Sequence, residues 1–144
     1  MINRELINPQ SIVVVGGSNN VHKPGGRLVR NLLDGKYKGE LYVVNAKEDD
    51  VQGLKSYHSV HDIPETELAI ISIPGPACPE AVDVLAKQKN GKAFIVISAG
   101  FGEETYEGAI LEELMLKSIN EAGASLIGPN CIGLMNMHYH GVFT

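Results

Sequence analysis

Five short apolar runs, at residues 11–15, 41–44, 68–73, 93–97 and 125–127, are each cut off by a loop rich in glycine, proline, serine or asparagine. Runs of this length without polar alternation are strands buried on both faces. Stripes at helical spacing fall between them: Leu28, Val29, Leu32 and Leu33; Ala81, Val82, Leu85 and Ala86; and Ile110, Leu111, Leu114, Met115 and Ile119, which mark the longest helix. Residues 36–39 close the first helix with a turn. Strands that alternate with helices pair in parallel and need helices on both sides of the sheet. The expected fold class is therefore α/β, a Rossmann-like doubly wound parallel sheet, in a single domain.

The chain of 144 residues is long enough to remove roughly 68–70% of its unfolded surface from water. Its formal charge of -5, from 17 acidic and 12 basic residues, offers no general attraction for nucleic acid or an anionic membrane, so any anion must be held by local groups. Residues 1–10 lack the apolar stretch of a signal peptide, and no run is long enough to span a bilayer. Cys78 and Cys131 are too few for a disulfide framework and do not have the spacing of a metal or redox pair, which suits a cytoplasmic protein. His22, His58, His61, His138 and His140 form no recognised metal spacing; His58 and His61 read as solvated positions between strands. No metal site and no catalytic residue is expected within the chain.

In an open parallel sheet, ligands bind beyond the carboxyl ends of the strands. Gly16-Gly17-Ser18-Asn19-Asn20 follows the first strand, where amide N–H groups and a helix dipole can receive a phosphate and Ser18 and Asn19 can add side-chain hydrogen bonds. Turn chemistry alone does not separate this from an ordinary βα loop. Ser18 and Val21 stand where a dinucleotide fingerprint would carry its second and third glycines, which disfavours an NAD site. The second strand ends in Asn45-Ala46-Lys47 instead of the acid that takes the ribose hydroxyls of NAD. A lysine there suits an adenosine with an extra ribose phosphate, as in coenzyme A or NADP, while Glu48, Asp49 and Asp50 leave a solvated charged turn as the alternative. Lys23 is a second candidate cation, near the start of the first helix.

Ile73-Pro74-Gly75-Pro76 forms an uncharged edge against which an adenine can pack, or an ordinary strand stop. Ser98-Ala99-Gly100-Phe101-Gly102 is small enough to admit an extended neutral chain such as pantetheine; Phe101 reads equally as core. Gly128-Pro129-Asn130-Cys131 places an amide and a thiol at the same end of the sheet, and Cys131 lacks the histidine partner that a nucleophile needs. Glu103, Glu104 and Glu107 sit at the start of the long helix, where they favour its dipole.

In this order, on successive strand ends, the loops resemble the N-terminal CoA-binding domain of NDP-forming acyl-CoA synthetases, relatives of the succinyl-CoA synthetase α subunit. The likeness is carried by residues 11–18, 42–47, 71–74, 96–101 and 126–133, and the Gly128-Pro129-Asn130-Cys131 segment is the most specific part. It implies that Gly17, Ser18 and Asn19, with Lys23, take CoA phosphates. It further implies that Lys47 serves the phosphorylated adenosine, that Ile73 and Pro74 border the nucleotide, that Ser98 and Ala99 follow the pantetheine, and that Asn130 lies near the thiol. Two departures stand: Pro24 follows Lys23 where relatives carry a small or β-branched residue, and Ala46 replaces the usual proline.

The resemblance implies a CoA-binding domain over residues 1–135, with residues 136–144 beginning the connection to a missing downstream domain. In that family, acyl-CoA, NDP and phosphate are converted reversibly to acid, CoA and NTP through an acyl phosphate and a phosphohistidine. The phosphohistidine-bearing domain and the ATP-grasp domain or subunit are the implied partners, and His138 and His140 do not take the phosphohistidine's place. The chain by itself is then expected to bind CoA or acyl-CoA without turnover. The alternatives are a stand-alone CoA-binding regulatory protein, the CoA-sensing domain of an acetyltransferase fusion, and an NADP-binding reductase domain, which would need a glycine fingerprint and a proton donor.

Overall fold

Ile12 and Val14 face one apolar layer while Val13 and Val15 face the other, so the first strand is buried on both sides. The computed structural model describes residues 1–102 and 104–144. After a short helix α1 (Arg4–Ile7), strand β1 (Ser11–Val15) leads into α2 (Pro24–Asp34), then β2 (Glu40–Val44), β3 (Asp50–Val51), β4 (Leu54–Tyr57) and β5 (Leu68–Ile71). A 3-10 turn at Gly75–Ala77 precedes α3 (Cys78–Gln88), β6 (Ala93–Val96), α4 (Tyr106–Ala122), β7 (Ser125–Ile127), β8 (Gly133–Met135) and β9 (His140–Val142). The main sheet has the order β3-β4-β2-β1-β5-β6-β7 and is parallel except where β3 runs against β4. It is the expected Rossmann-like fold.

On one face, Val13, Ala69, Phe94 and Val96 pack with Val82 and Leu85 of α3 and Met115 and Ile119 of α4. On the other, Ile12, Val14, Ile70 and Ile95 pack with Leu28, Val29 and Leu32 of α2 and with Leu6. The apolar stripe of α4 divides. Leu111, Met115 and Ile119 turn inward, but Ile110 and Leu114 are 44% and 51% exposed. The five residues span too much of the helix circumference for one contact face, and part of that face is taken by Ser118, whose hydroxyl donates to Asp83 of α3 at 2.8 Å. Dipole-favouring Glu107 does lie in the first turn, but the capping side chain is Thr105, which accepts the Gly108 N–H at 2.8 Å. Glu103 lies outside the described residues.

Residues 136–144 fold back on the sheet. β8 and β9 form an antiparallel pair, the Tyr139 hydroxyl donates to the Leu6 carbonyl at 2.6 Å, and Asn31 donates to the Val142 carbonyl at 2.8 Å. Among the described residues, no helix is long and apolar enough to cross a membrane.

At the opposite end of the sheet from the strand carboxyl termini, Arg4 makes a two-point contact with Glu67, at 2.7 and 3.1 Å, and the Gln10 N–H donates to the same carboxylate at 2.8 Å. The Arg4 hydrogen bond is the main cause holding the Glu67 carboxyl below its ordinary range, with the Gln10 N–H adding to it against the cost of burial. A carboxyl depressed in the folded state contributes stability above its unfolded pKa, and that stability is lost as pH falls through the folded value. Glu67→Gln is therefore expected to lower Tm at pH 7 and to flatten the fall in Tm on acidification below about pH 4.5, as read by calorimetry.

Candidate functional site

The carboxyl ends of β1, β2 and β5 meet where the order of the sheet reverses: β2 lies on one side of β1 and β5 on the other. Open α/β sheets leave a crevice at such a point. Here it is a cleft of about 500 Å3 lined by Val15 and Gly16 from β1, Val44, Asn45, Ala46 and Lys47 from β2, and Ile73, Ala77, Glu80 and Ala81 from the β5–α3 region. Lys23 closes one side, and His58, Ser59, Val60 and His61 close another.

The loop after β1 is shaped by close backbone approach. A Cβ on Gly25 would stand 1.9 Å from the Gly16 carbonyl oxygen, and one on Gly26 would stand 2.0 Å from that of Asn20. The first turn of α2 thus rests directly on the loop, which only glycine permits at both positions. Pro24 occupies the first helical position, where its missing N–H costs nothing, and Lys23 is the N-cap residue with an extended backbone. The departure at Pro24 accordingly suits the start of the helix.

Side chains from the β2–β4 region hold the same loop from the other side. Asn45 donates to the Gly17 carbonyl at 2.9 Å while its own Oδ1 accepts the N–H groups of Lys47 (2.9 Å) and Glu48 (3.0 Å). Gln52 donates from Nε2 to the Ser18 and Gly26 carbonyls, both at 2.9 Å. Asn19 is engaged at both ends, donating to Asp50 and accepting from the Gln52 N–H, and Ser18 Oγ accepts the Asn20 N–H. The side chain of Asn19 and the acceptor face of Ser18 therefore shape the loop; the Ser18 O–H remains able to donate.

Of the ten residues singled out in the sequence, Lys23, Lys47 and Ile73 line the cleft together. Gly17 is buried beneath it, against Val43 and Val29. Pro74 is exposed just past Ile73, at the entrance to the 3-10 turn. Ser98 is half-buried, and its hydroxyl both donates to the Ile73 carbonyl and accepts the Ile73 N–H, tying the loops after β5 and β6 together. Ala99 is exposed, and the Asn130 N–H donates to the Ser98 carbonyl at 3.0 Å. Asn130, Pro129, Gly102 and Glu112 border a second opening of about 420 Å3 along the same edge of the sheet. The ten residues follow one edge, from β2 to β7, without all meeting in one pocket.

Phe101 is fully buried and belongs to the core. Cys131 is half-buried with Sγ 3.4 Å from the Val96 carbonyl, and burial pushes its thiol up, away from the reactive thiolate. It is not alone at this end of the sheet: buried Cys78 opens α3 beneath Ile73 and Pro74, and burial raises its thiol also.

Sequence reasoning missed Asn45 as a loop clamp, Gln52, the Gly25–Gly26 contact and the two histidines. The glycine pair had a readable signal, because two glycines in the first turn of a helix carry a propensity cost that some close approach must offset. His58 and His61 were expected in solvent between strands; both are exposed, yet they line the cleft.

A Rossmann-like sheet with a glycine-shaped loop, a helix N-terminus and two lysines around the switch-point cleft has the architecture of a nucleotide-binding domain. Residues 10–137 match the family model described as CoA binding domain, and the chain belongs to that family. It is 39% identical over 135 residues to the ADP-forming acetate–CoA ligase II subunit alpha of Pyrococcus furiosus, covering 92% of this chain and 29% of that protein. It is also 39% identical over 134 residues to the ADP-forming acetate–CoA ligase II of Archaeoglobus fulgidus, covering 92% and 20%. The apo form of dinucleotide-forming acetyl-coenzyme A synthetase 1 from Ca. Korarchaeum cryptofilum superposes with a TM-score of 0.88 at 33% identity, over 97% of this chain and 31% of that one. The chain is thus a CoA-binding domain of the kind found in ADP-forming acyl-CoA synthetases, and it spans under a third of the length of these relatives.

Proposed function

We propose that the chain holds coenzyme A along the carboxyl edge of the sheet and presents its thiol to the rest of an ADP-forming acyl-CoA synthetase. The phosphorylated adenosine lies in the cleft by Lys47 and Ile73. The pyrophosphate meets the Gly17-Ser18-Asn19 loop and Lys23, and the pantetheine runs past Pro74, Ser98 and Ala99 toward Asn130. The observation that carries this reading is Lys47 at the end of β2, lining the switch-point cleft where an NAD-binding domain would carry an acid. In the complete enzyme, an acyl phosphate would transfer its acyl group to the thiol with release of phosphate. The phosphohistidine-bearing and ATP-grasp parts, in the cytoplasm, would couple that transfer to ADP and ATP. This chain's share is position: a thiol held in line with the acyl phosphate turns a bimolecular encounter into a local one.

Isothermal titration with CoA, 3′-dephospho-CoA, NADP and NAD tests the reading. CoA is expected to bind best. Lys47→Ala is expected to weaken CoA about tenfold, the size of one charge-assisted contact at a half-open site, and to leave 3′-dephospho-CoA nearly unchanged. Binding of NADP without CoA would overturn the assignment, and equal losses for CoA and its dephospho form would remove Lys47 from the ribose phosphate.

A further inference from the structure

We propose that His58 and His61 join Lys47 in receiving the ribose phosphate of CoA, so that the phosphorylated adenosine is gripped by one lysine and two imidazoles. The inference rests on the reading of the cleft as the CoA site. β4 runs parallel beside β2 with Val44 opposite Tyr57, and the Asn45 N–H donates to the Tyr57 carbonyl at 2.9 Å. The residues that follow Tyr57 therefore emerge beside those that follow Val44. That register, set by the β3–β4 excursion, brings His58 and His61 to the same cleft as Lys47.

His58 is oriented there. Its Nε2 lies 2.8 Å from Asp49 Oδ1 in the connection after β2. The His61 N–H is held by Ser59 Oγ at 3.2 Å, which bends the segment around the cleft mouth. The charged groups that share the cleft with the two imidazoles are two lysines, Lys47 from the connection after β2 and Lys23 from the start of α2, and one carboxylate, Glu80 from α3, while Asp49 pairs with His58 beside the lining. Val15, Val44, Val60 and Ile73 add apolar surface to the same lining, which suits a purine face.

An imidazole carries a ring N–H that can donate to a phosphate oxygen, so loss of both histidines should weaken CoA and spare its dephospho form. The test is titration of the full chain with CoA and with 3′-dephospho-CoA, comparing wild type with His58→Ala/His61→Ala. The preference for CoA over its dephospho form is expected to be about fivefold or more greater in wild type than in the double variant.

A second measurement needs no substitution. The imidazole C–H proton resonances of both histidines should move further on adding CoA than on adding 3′-dephospho-CoA. Equal preference for CoA in the two proteins, or equal resonance shifts with the two ligands, with Lys47→Ala still selectively weakening CoA, would overturn this proposal and leave the CoA site standing. Absence of CoA binding would overturn both.

Discussion

Gly16→Ala is expected to destabilise the fold by about 2–4 kcal/mol, with a matching drop in the urea midpoint. Two costs combine. Gly16 has φ +93°, which a residue with a Cβ adopts at a cost of about 1–2 kcal/mol. An added Cβ would also stand 2.1 Å from the Ser72 carbonyl oxygen and 2.8 Å from its carbon, both backbone atoms at the end of β5. Relief requires β1 and β5 to part where the Ser72 N–H donates to the Val15 carbonyl at 2.8 Å, at the rim of the cleft. Overpacking of that kind costs about 1–3 kcal/mol. Gly53 supplies the control. It has a similar φ of +89° but nothing within 4 Å of its Cβ position, so Gly53→Ala should show the conformational cost alone. Equal losses at the two positions would mean that the loop after β1 yields freely, and that its path is not what fixes the cleft.

The parallel strands β1, β2, β5, β6 and β7 were legible because each is a continuous apolar run, and the switch-point location followed from βα order alone. β3 and β4 were not legible. Asp50–Val51 is two residues long, and Leu54-Lys55-Ser56-Tyr57 carries a charge and a hydroxyl, so neither reads as a buried strand. Their existence depends on pairing with β2 and on the Asn19 and Gln52 contacts, which join residues about thirty positions apart. Missing that hairpin meant missing His58 and His61, whose place in the cleft is a consequence of register and not of local pattern. Lys47 was readable because a strand end announces its own direction; the asparagine that steers it was hidden in the same tripeptide, since an Asx turn and a long-range clamp look alike in sequence.

That asparagine gives the sharpest test of how the site is held. Asn45→Ala is expected to cost about 2–3 kcal/mol of stability and to weaken CoA binding tenfold or more, as measured by urea unfolding and calorimetric titration. Alanine keeps the backbone bond from residue 45 to Tyr57 but removes all three side-chain bonds, to Gly17, Lys47 and Glu48. Each contributes about 1 kcal/mol, and the half-buried Gly17 carbonyl loses its donor outright. Asn45→Asp separates the two roles. A carboxylate still accepts the Lys47 and Glu48 N–H groups, so the turn persists. It sets an oxygen against the Gly17 carbonyl, however, and adds negative charge to an anion site, so affinity should fall further than stability. The decisive quantity is the coupling between Asn45 and Lys47 in a double-mutant cycle. If the asparagine aims the lysine at the ribose phosphate, Lys47→Ala will weaken CoA much less in the Asn45→Ala background than in wild type, a coupling of about 1 kcal/mol. A coupling near zero would mean that the flexible lysine finds the phosphate unaided, and that Asn45 acts on the loop after β1 alone.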